Sequence, residues 1–249
     1  MVGGCTVVEL TDRQKDLLRN IIEEYVATAE PVGSENIVGK YSLGVSPATV
    51  RNEMARLTSE GFLKQPHTSA GRIPTPQGLR FYIHELMKEQ TIPVKDEVAI
   101  KEGLWDYRFH PHRLLKQATK ELSEKSGTLA IAATEEGDIY TSGAYSILDI
   151  PEFYDIDLTK TLLMLTDRSE MLNQILERAV INEPVCVMLG DELGGEYLEY
   201  CGFVFAPFGS GKKNAGVIGV LGPTRMAYPR VIPTVRYFGD LLTELASTW

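Results

Sequence analysis

Polar side chains that can read DNA bases cluster at the start of one predicted helix, in the segment SPATVRNEMARL that begins at Ser46. Arginine pairs with the two acceptors of a guanine edge, and asparagine pairs with the donor and acceptor of an adenine edge. Arg51 and Asn52 are adjacent here, and Thr49 precedes them. These residue types indicate base recognition in a major groove. The ordinary alternative is a solvated helix face.

The local sequence predicts the helix that would present these side chains. Ser46 is a favoured N-cap residue, and the ring of Pro47 suits the first helical position. Val50, Met54 and Leu57 recur at helical spacing and predict a single buried stripe. The helix therefore has one face for a core and one face for a partner.

A two-stranded hairpin is predicted directly after Gly61, the glycine that ends this helix. Residues 62–65 are typical of one strand, the HTSAG segment of a tight connection, and residues 72–74 of a short returning strand. A helix followed by a basic hairpin is a winged helix. We interpret this segment as a DNA-binding element.

Basic side chains outnumber acidic ones between residues 36 and 82, although the whole chain has a formal net charge of -9. Screening confines the effect of surface charge to roughly 8–10 Å, so a local basic face can act on an acidic chain. The basic residues are Lys40, Arg51, Arg56, Lys64, Arg72 and Arg80, and the acidic ones are Glu53 and Glu60.

Two sets of DNA contacts are predicted from residue type and position. Small donors at the hairpin tip can approach phosphates closely, and basic side chains can neutralise them. The candidates for base or near-base contacts are Ser46, Thr49, Arg51 and Asn52. The candidates for phosphate contacts are Lys40, Tyr41, Arg56, Lys64, His67, Thr68, Ser69 and Arg72.

Three further helices are predicted around this element. Thr11 can cap a helix over residues 11–26, with Gln14 completing a capping box, and Ser34 can cap a short second helix. Three helices with a glycine-containing turn before the third match the helix-turn-helix plan. Pro76 opens a fourth helix, and the predicted winged-helix domain covers residues 1–92.

The rest of the chain predicts an α+β domain with a mostly antiparallel sheet. Residues 93–126 are predicted as linker helices, and residues 127–249 as the second domain. Strands are expected in 128–134 and 138–148, then a helix over 159–180, then three apolar strands at 185–190, 200–208 and 215–223. A closing helix is expected after Pro233.

Composition excludes several functional classes. With 43% hydrophobic residues the 249-residue chain can bury a sizeable core, and no apolar run approaches the roughly 20 residues that span a bilayer. The three cysteines are never spaced as CxxC, which favours a reducing cytoplasm over a disulfide framework. No signal peptide, metal site or cofactor is predicted, and His110 and His112 lack further ligands nearby in sequence.

No catalytic constellation is found, so the chain is not predicted to be an enzyme. The GSGKKN segment lacks the phosphate-loop spacing and is interpreted as a solvated turn between two strands. The acidic loop 191–196 is interpreted as exposed. The GPTRM segment at 222–226 leaves two interpretations open, a structural latch or a ligand contact through Thr224 and Arg225.

Three segments resemble the HrcA family of bacterial heat-inducible transcription repressors. They are TDRQKDLLRNIIEEYVATAEPVGS, VSPATVRNEMARLTSEGFLKQPHTSAGRIPT and GVIGVLGPTRMAYPRVI. The resemblance implies an N-terminal winged helix, a GAF-like C-terminal domain and a homodimer. It also implies an inverted-repeat operator, the CIRCE element, upstream of chaperonin and other chaperone operons. The resemblance further implies that a GroEL-type chaperonin brings the repressor to its active form.

One departure from the family pattern concerns dimerisation. Family members usually carry a dimerising domain inserted into the GAF-like domain, whereas here TLAIAAT runs almost directly into the PEF segment at 151–153. The inserted domain is therefore expected to be missing. The GAF-like domain and the linker helices are then expected to supply the contact between copies.

Two other functions compete with a chaperone-operon repressor. A ligand-gated regulator would bind a small effector near Tyr200, Phe205 and Arg225, and a metabolite would then raise the melting temperature. An enzyme fused to a DNA-binding domain would need catalytic residues that the sequence lacks. A structural role of the second domain, in dimerisation and chaperonin recognition, is favoured.

Overall fold

A computed structural model describes residues 9–41, 44–167, 169–179, 183–194, 197–209 and 215–246. The chain forms two compact units, Met1–Lys88 and Glu89–Trp249. The predicted linker helices lie within the second unit. The finer division at residues 92 and 126 stays a prediction.

Three helices form the body of the first unit: α1 (Asp12–Thr28), α2 (Ser34–Lys40) and α3 (Pro47–Ser59). The predicted capping box of α1 is present, since Thr11 Oγ1 accepts from the Gln14 N–H at 3.3 Å while the Gln14 side chain accepts from the Thr11 N–H at 3.0 Å. Ser46 caps α3 by accepting from the Thr49 N–H at 3.2 Å.

The start of α2 differs from the prediction. Ser34 is its first helical residue and is buried, while Gly33 occupies the N-cap position with extended backbone and no side-chain cap. The N-cap prediction at Ser34 is therefore one residue too late, because a serine in the first turn resembles an N-cap serine in sequence.

The wing is a short antiparallel hairpin of β1 (Leu63–Lys64) and β2 (Ile73–Pro74). Its strands are shorter than predicted, but the hairpin gains a third partner. Val32, between α1 and α2, exchanges two backbone hydrogen bonds of 2.9 Å with Arg72. The wing is thus joined to the helical body by backbone pairing.

The fourth helix has two parts, α4 (Pro76–Phe81) and one π-helical turn (Tyr82–Leu86). Thr75 caps α4 by accepting from the Gly78 N–H at 3.1 Å. Leu79 and Tyr82 are buried, and burial raises the pKa of the Tyr82 hydroxyl to about 12. The side chains of Val50, Met54 and Leu57 are buried in the same unit, as their spacing predicts, and those of Leu17, Leu18, Ile21 and Ile22 on α1 are buried with them.

The second unit is built on a five-stranded, fully antiparallel sheet in the order β4-β3-β7-β6-β5. The strands are β3 (Leu129–Thr134), β4 (Ile139–Ser142), β5 (Cys186–Leu189), β6 (Cys201–Phe208) and β7 (Gly216–Pro223). The helices are α5 (Val94–Trp105), α6 (Pro111–Ser126), α7 (Ile156–Asp167), α8 (Ser169–Arg178) and α9 (Tyr228–Ala246). Two short 3-10 segments follow β4 (Ala144–Asp149 and Pro151–Tyr154), and two lie between β5 and β6 (Gly190–Leu193 and Leu198–Tyr200).

Helices cover both faces of this sheet. Successive strand residues point to opposite faces, so Ile131, Phe203 and Phe205 share one core with the apolar sides of α7 and α8. Helices α6 and α9 pack on the other face, against β3, β4, β6 and β7. The result is the predicted α+β architecture with an antiparallel sheet, consistent with a GAF-like domain.

Two elements of the second unit, a strand and a helix, differ from their predictions. The strand expected over 138–148 ends at Ser142, because Gly143 takes a left-handed conformation (φ +80°) and 3-10 turns follow. The single helix expected over 159–180 is two helices, α7 and α8, and residue 168 between them lies outside the described residues.

The closing helix starts before Pro233 rather than after it. A proline inside a helix leaves the carbonyl four residues earlier without its usual donor. Here the Gln90 N–H donates to that carbonyl, on Pro229, at 2.8 Å. A contact distant in sequence therefore compensates for the proline.

Gly71 allows the close approach of the wing to Val32. A Cβ atom at Gly71 would lie 2.4 Å from the Val32 carbonyl oxygen, a backbone atom that cannot move aside. We expect Gly71→Ala to lower the free energy of unfolding by about 1–3 kcal/mol, as overpacking does. Calorimetry of the transition that includes the first unit measures this change.

Gly39→Ala is the matched control, since Gly39 lies in α2 and has open space around its Cβ position. Alanine is the better helix former, so this change should leave stability equal or higher. Equal destabilisation by both substitutions would contradict the steric account.

Candidate nucleic-acid interface

The outer side of α3 carries the predicted base-reading side chains. Val50, Met54 and Leu57 are buried, whereas Arg51 and Asn52 are exposed. The remaining exposed positions after the helix start are Ala55, Arg56 and Ser59. Of these, Ala55 is small and lies one turn from both Arg51 and Asn52, so it leaves room for a surface to approach closely.

Ser46 and Thr49 organise the first turn of this helix. Ser46 Oγ caps the Thr49 N–H and lies 3.0 Å from Thr49 Oγ1. Both hydroxyls lie at the N-terminus of α3, where backbone N–H groups favour an anion such as a phosphate. The structure thus places these two predicted residues at the helix start. Ser46 Oγ forms the cap, and Thr49 Oγ1 is hydrogen-bonded to it.

A buried carboxylate on the inner side of α3 sets the orientation of that helix. Glu53 receives a salt bridge from Arg13 and a 3.2 Å hydrogen bond from Gln14 Nε2, both from the first turn of α1. The Arg56 guanidinium lies 4.0 Å from the same carboxylate. Sequence reasoning counted Glu53 only as one acidic residue of the segment. The sequence signal for its burial was the helical spacing of Glu53 from Val50 and Leu57, which places it on the buried side.

Lys40 and Tyr41 both contact the carboxylate of Glu24 on α1. Lys40 forms a salt bridge with it, and the Tyr41 hydroxyl donates to it at 3.4 Å. The hydrogen bond that Lys40 donates to Glu24 raises the pKa of Lys40, and burial raises the pKa of Tyr41. Lys40 therefore stays charged at neutral pH, but Glu24 offsets part of that charge.

The wing tip is folded by a residue that sequence reasoning missed. Gln65 Nε2 donates to the carbonyls of Thr68 and Ala70, both at 2.9 Å. Ser69 Oγ lies 3.3 Å from His67 Nδ1 across the same turn. The predicted phosphate contacts Lys64, His67, Thr68 and Ser69 are all exposed, so this turn displays them.

Arg72 differs from the other wing residues because it also holds the structure together. Its backbone pairs with Val32, and its Nε donates to Thr58 Oγ1 at 3.0 Å. Thr58 in turn donates to the Met54 carbonyl at 2.7 Å. Arg72 thus connects the wing to α3, in addition to the phosphate contact predicted for it.

A groove of about 440 Å³ unites part of the predicted set. It lies between the start of α2, the outer side of α3 and the wing tip. Arg51, Thr68, Ser69 and Arg72 line it, together with Gln65 and Asn36, which sequence reasoning did not select. The other predicted contacts lie outside its described lining: Lys40, Tyr41, Ser46, Thr49, Asn52, Arg56, Lys64 and His67.

The GPTRM segment is a structural latch rather than a ligand contact. Arg225 binds Glu152 through two nitrogen–oxygen pairs, one of them 3.0 Å long, and both side chains are largely buried. The Thr224 N–H donates to the Tyr200 carbonyl at 2.8 Å. These contacts fasten the end of β7 to the 3-10 segments beside it.

Other chemistry finds little support in the described residues. Burial raises the pKa of Cys201 to about 12 and also raises the pKa of Cys186, so neither thiol is a ready nucleophile. In these parts of the chain no three His, Cys, Asp or Glu side chains form a group able to hold a metal ion. The described helices include none that is long and apolar enough to cross a membrane. Residues 210–214 of the GSGKKN segment and residues 195–196 of the acidic loop lie outside the described residues.

Glu53→Ala should destabilise the first unit, because it leaves Arg13 and Gln14 without their shared acceptor. We expect a loss of about 1–3 kcal/mol in the free energy of unfolding, measured by urea denaturation. Arg56→Ala is the control, since Arg56 is exposed and 4.0 Å from the same carboxylate, and it should change stability by less than about 0.5 kcal/mol. Equal losses would show that Glu53 contributes only as a surface charge.

Family models match both parts of the chain. Residues 9–87 match the winged helix-turn-helix DNA-binding domain of the HrcA transcription repressor, and residues 77–232 match the HrcA protein C-terminal domain. A solved structure with a TM-score of 0.75 supports the fold. It is a hypothetical protein, 18% identical, and the match covers 96% of this chain and 99% of that one.

Curated relatives extend the similarity over nearly the whole chain. The heat-inducible transcription repressor HrcA of Pelotomaculum thermopropionicum is 29% identical over 96% of this chain and 97% of its own length. That of Desulforudis audaxviator is 30% identical over 95% and 98%. These alignments run over 338 and 336 residues, more than the 249 of this chain, so the relatives carry internal residues that it lacks. From the family models and these relatives together, the chain belongs to the HrcA family of transcription repressors.

Proposed function

We propose that this protein represses chaperonin and other chaperone operons by binding an inverted-repeat operator of the CIRCE type as a homodimer. The observation that carries the proposal is the shared surface of α3 and the wing. Arg51 and the wing tip line one groove there, and Asn52 is exposed on the same helix. Membership of a repressor family, rather than an enzyme family, agrees with this use of the surface.

Insertion of α3 into the major groove would bring Arg51 and Asn52 to base edges. Both side chains suit that task, since each can form two hydrogen bonds to one purine. Ser46 and Thr49 at the helix start would lie near base edges, and His67, Thr68 and Ser69 on the wing would meet sugar and phosphate groups. Repression then follows from occlusion of a promoter.

The electrostatics of the first unit favour this binding although the chain is acidic overall. Glu53 is buried and paired with Arg13, so its charge is withdrawn from the surface that would face phosphates. Arg51, Arg56 and Lys64 remain exposed on the outer side. Their effect is local, because screening limits it to roughly a Debye length.

The heat response would depend on the chaperonin. Family resemblance supports the proposal that a GroEL-type chaperonin brings the repressor to its active form in the cytoplasm. Unfolded proteins would occupy the chaperonin during heat stress, and the repressor would then lose activity. The second unit, with no role in the DNA contacts proposed here, is the candidate for chaperonin recognition and for dimerisation.

The ligand-gated alternative has less support from the geometry. Of its three proposed contact residues, Phe205 is fully buried in the core and Arg225 is bound to Glu152. Tyr200 remains exposed. These side chains do not share an effector site in the way the alternative requires.

Substitutions at Arg51 and Lys64 separate base reading from phosphate binding. Arg51→Ala should weaken binding to the specific operator by about 1–3 kcal/mol and relax base preference, with little effect on scrambled DNA. Lys64→Ala should weaken binding to both DNAs alike and reduce the salt slope by about one ion. Fluorescence anisotropy titrations at several salt concentrations measure both effects.

Lys64 is preferred to Arg72 for this comparison, since loss of Arg72 also breaks the bond to Thr58. Arg113→Ala, at an exposed arginine of the second unit, is the control and should bind as the unsubstituted chain does. If Arg51→Ala lowers the affinity for specific and scrambled DNA equally, the assignment of Arg51 to base reading is refuted.

A further inference from the structure

Helix α5 carries apolar side chains on two separate sides. Ile100 and Leu104 are buried against the rest of the second unit. On a second side, roughly a third of a turn around the helix, Val94, Val98, Trp105 and Phe109 are between 44% and 73% exposed, with Phe109 in the turn that follows the helix. We call these four residues the outer stripe of α5. A surface helix normally shows polar residues on its outer side, so the outer stripe is a surface suited to a partner.

The aromatic end of the outer stripe is ordered by a cation. The Arg108 guanidinium lies 4.6 Å from the centroid of the Trp105 ring and 4.4 Å from that of Phe109. It therefore brings the two rings to one place at the end of the helix. Beside Trp105 lies a hollow of about 440 Å³, also lined by Lys101, Glu102 and Asp106. This end offers large rings and an open surface hollow, whereas the other end offers two valines.

The spacing of the outer stripe is the same in both chain directions. Its intervals are four, seven and four residues, and they are symmetric about the point between Lys101 and Glu102. When two copies of such a helix lie antiparallel about that point, Val98 of one faces Trp105 of the other, and Val94 faces Phe109. A twofold interface requires this self-complementarity, in which small residues meet large ones.

The charges at one edge of the outer stripe follow the same symmetry. Lys95 and Asp106 lie on one edge near opposite ends of the helix, so an antiparallel copy places each beside the other's opposite charge. On the other edge, Lys101 is bound to Glu244 of its own chain at 2.8 Å. On the edge that carries Lys95 and Asp106, Glu102 lies nearest the twofold axis. There it would face Glu102 of the second copy.

We propose that the outer stripe of α5 is a self-association surface, on which a second copy of this chain docks its own α5 antiparallel about a twofold axis. Val98 of the second copy enters the hollow beside Trp105. The inference rests on the proposed function only in that an inverted repeat calls for two copies related by a twofold axis. Two short helices bury less area than a standard interface, so the dimer is expected to be weak, in the micromolar range.

Sedimentation equilibrium of the full chain tests the surface directly. Val98→Lys should raise the dimer dissociation constant at least tenfold, since it buries a charge at the stripe. Glu102→Gln should lower that constant severalfold, because it removes the repulsion between two carboxylates near the axis. Leu148→Lys is the control, because Leu148 is exposed and lies outside the stripe. It should leave the dimer dissociation constant unchanged.

Crosslinking tests the twofold axis independently of the stability of any lysine variant. In a Cys5→Ser background, Glu102→Cys should crosslink to its own copy with a short bismaleimide and give a covalent dimer. Leu148→Cys should not. The native Cys186 and Cys201 are buried, so they do not compete.

Each outcome decides the interface separately from the function. Dimers that survive Val98→Lys, or that dissociate on Leu148→Lys, would overturn the outer stripe as the contact. A chain that stays monomeric at high micromolar concentration, with no crosslink at position 102, would overturn it as well. Binding to an isolated half-site does not require the dimer. If the chain crosslinks at position 102 but does not bind the half-site, the proposed function is refuted and the interface still stands.

Discussion

The salt bridge between Arg13 and the buried carboxylate of Glu53 is the interaction on which the DNA-facing surface depends. A buried charge is stable only when it is paired and hydrogen-bonded, and the first turn of α1 supplies both partners through Arg13 and Gln14. Because Glu53 lies on the inner side of α3, fixing it also fixes the rotation of the helix. Arg51 and Asn52 then lie on the outer side.

The wing depends on the same helix from its other end. Arg72 reaches Thr58 in the last turn of α3, and its backbone pairs with Val32. Gly71 permits this approach, since any side chain there would meet the Val32 carbonyl. The recognition helix, the wing and the loop between α1 and α2 are therefore positioned together, and the groove that contains Arg51 is a consequence of their mutual contacts.

Local signals predicted much of this architecture. The caps at Thr11 and Ser46 and the stripe of Val50, Met54 and Leu57 depend on neighbours within one or two turns, so the sequence alone reveals them. The pairing of Glu53 with Arg13 joins residues 40 positions apart, and that of Lys40 with Glu24 joins two helices. No local pattern reports such contacts. The prediction that the closing helix starts after Pro233 is wrong for the same reason. That helix is stabilised by Gln90, which is distant in sequence.

The proposed α5 interface and the proposed DNA contacts share one requirement, the twofold symmetry of the operator. A single winged helix reads one half-site, and two copies joined through α5 would read both with the affinity that linkage confers. A weak dimer makes that affinity depend on protein concentration, so operator occupancy would fall steeply as active repressor is lost. This coupling suits a repressor that is switched by the supply of active protein rather than by a bound effector.

Electrophoretic mobility of the purified chain on an inverted-repeat duplex and on a single half-site distinguishes dimeric operator binding from monomeric binding. The titration is made across several salt concentrations, with and without a GroEL-type chaperonin. We expect tight binding to the full repeat, weak binding to the half-site, and weaker binding to both as salt rises. Equally weak binding to the two duplexes would contradict this expectation, because the chain would then act on DNA as a monomer.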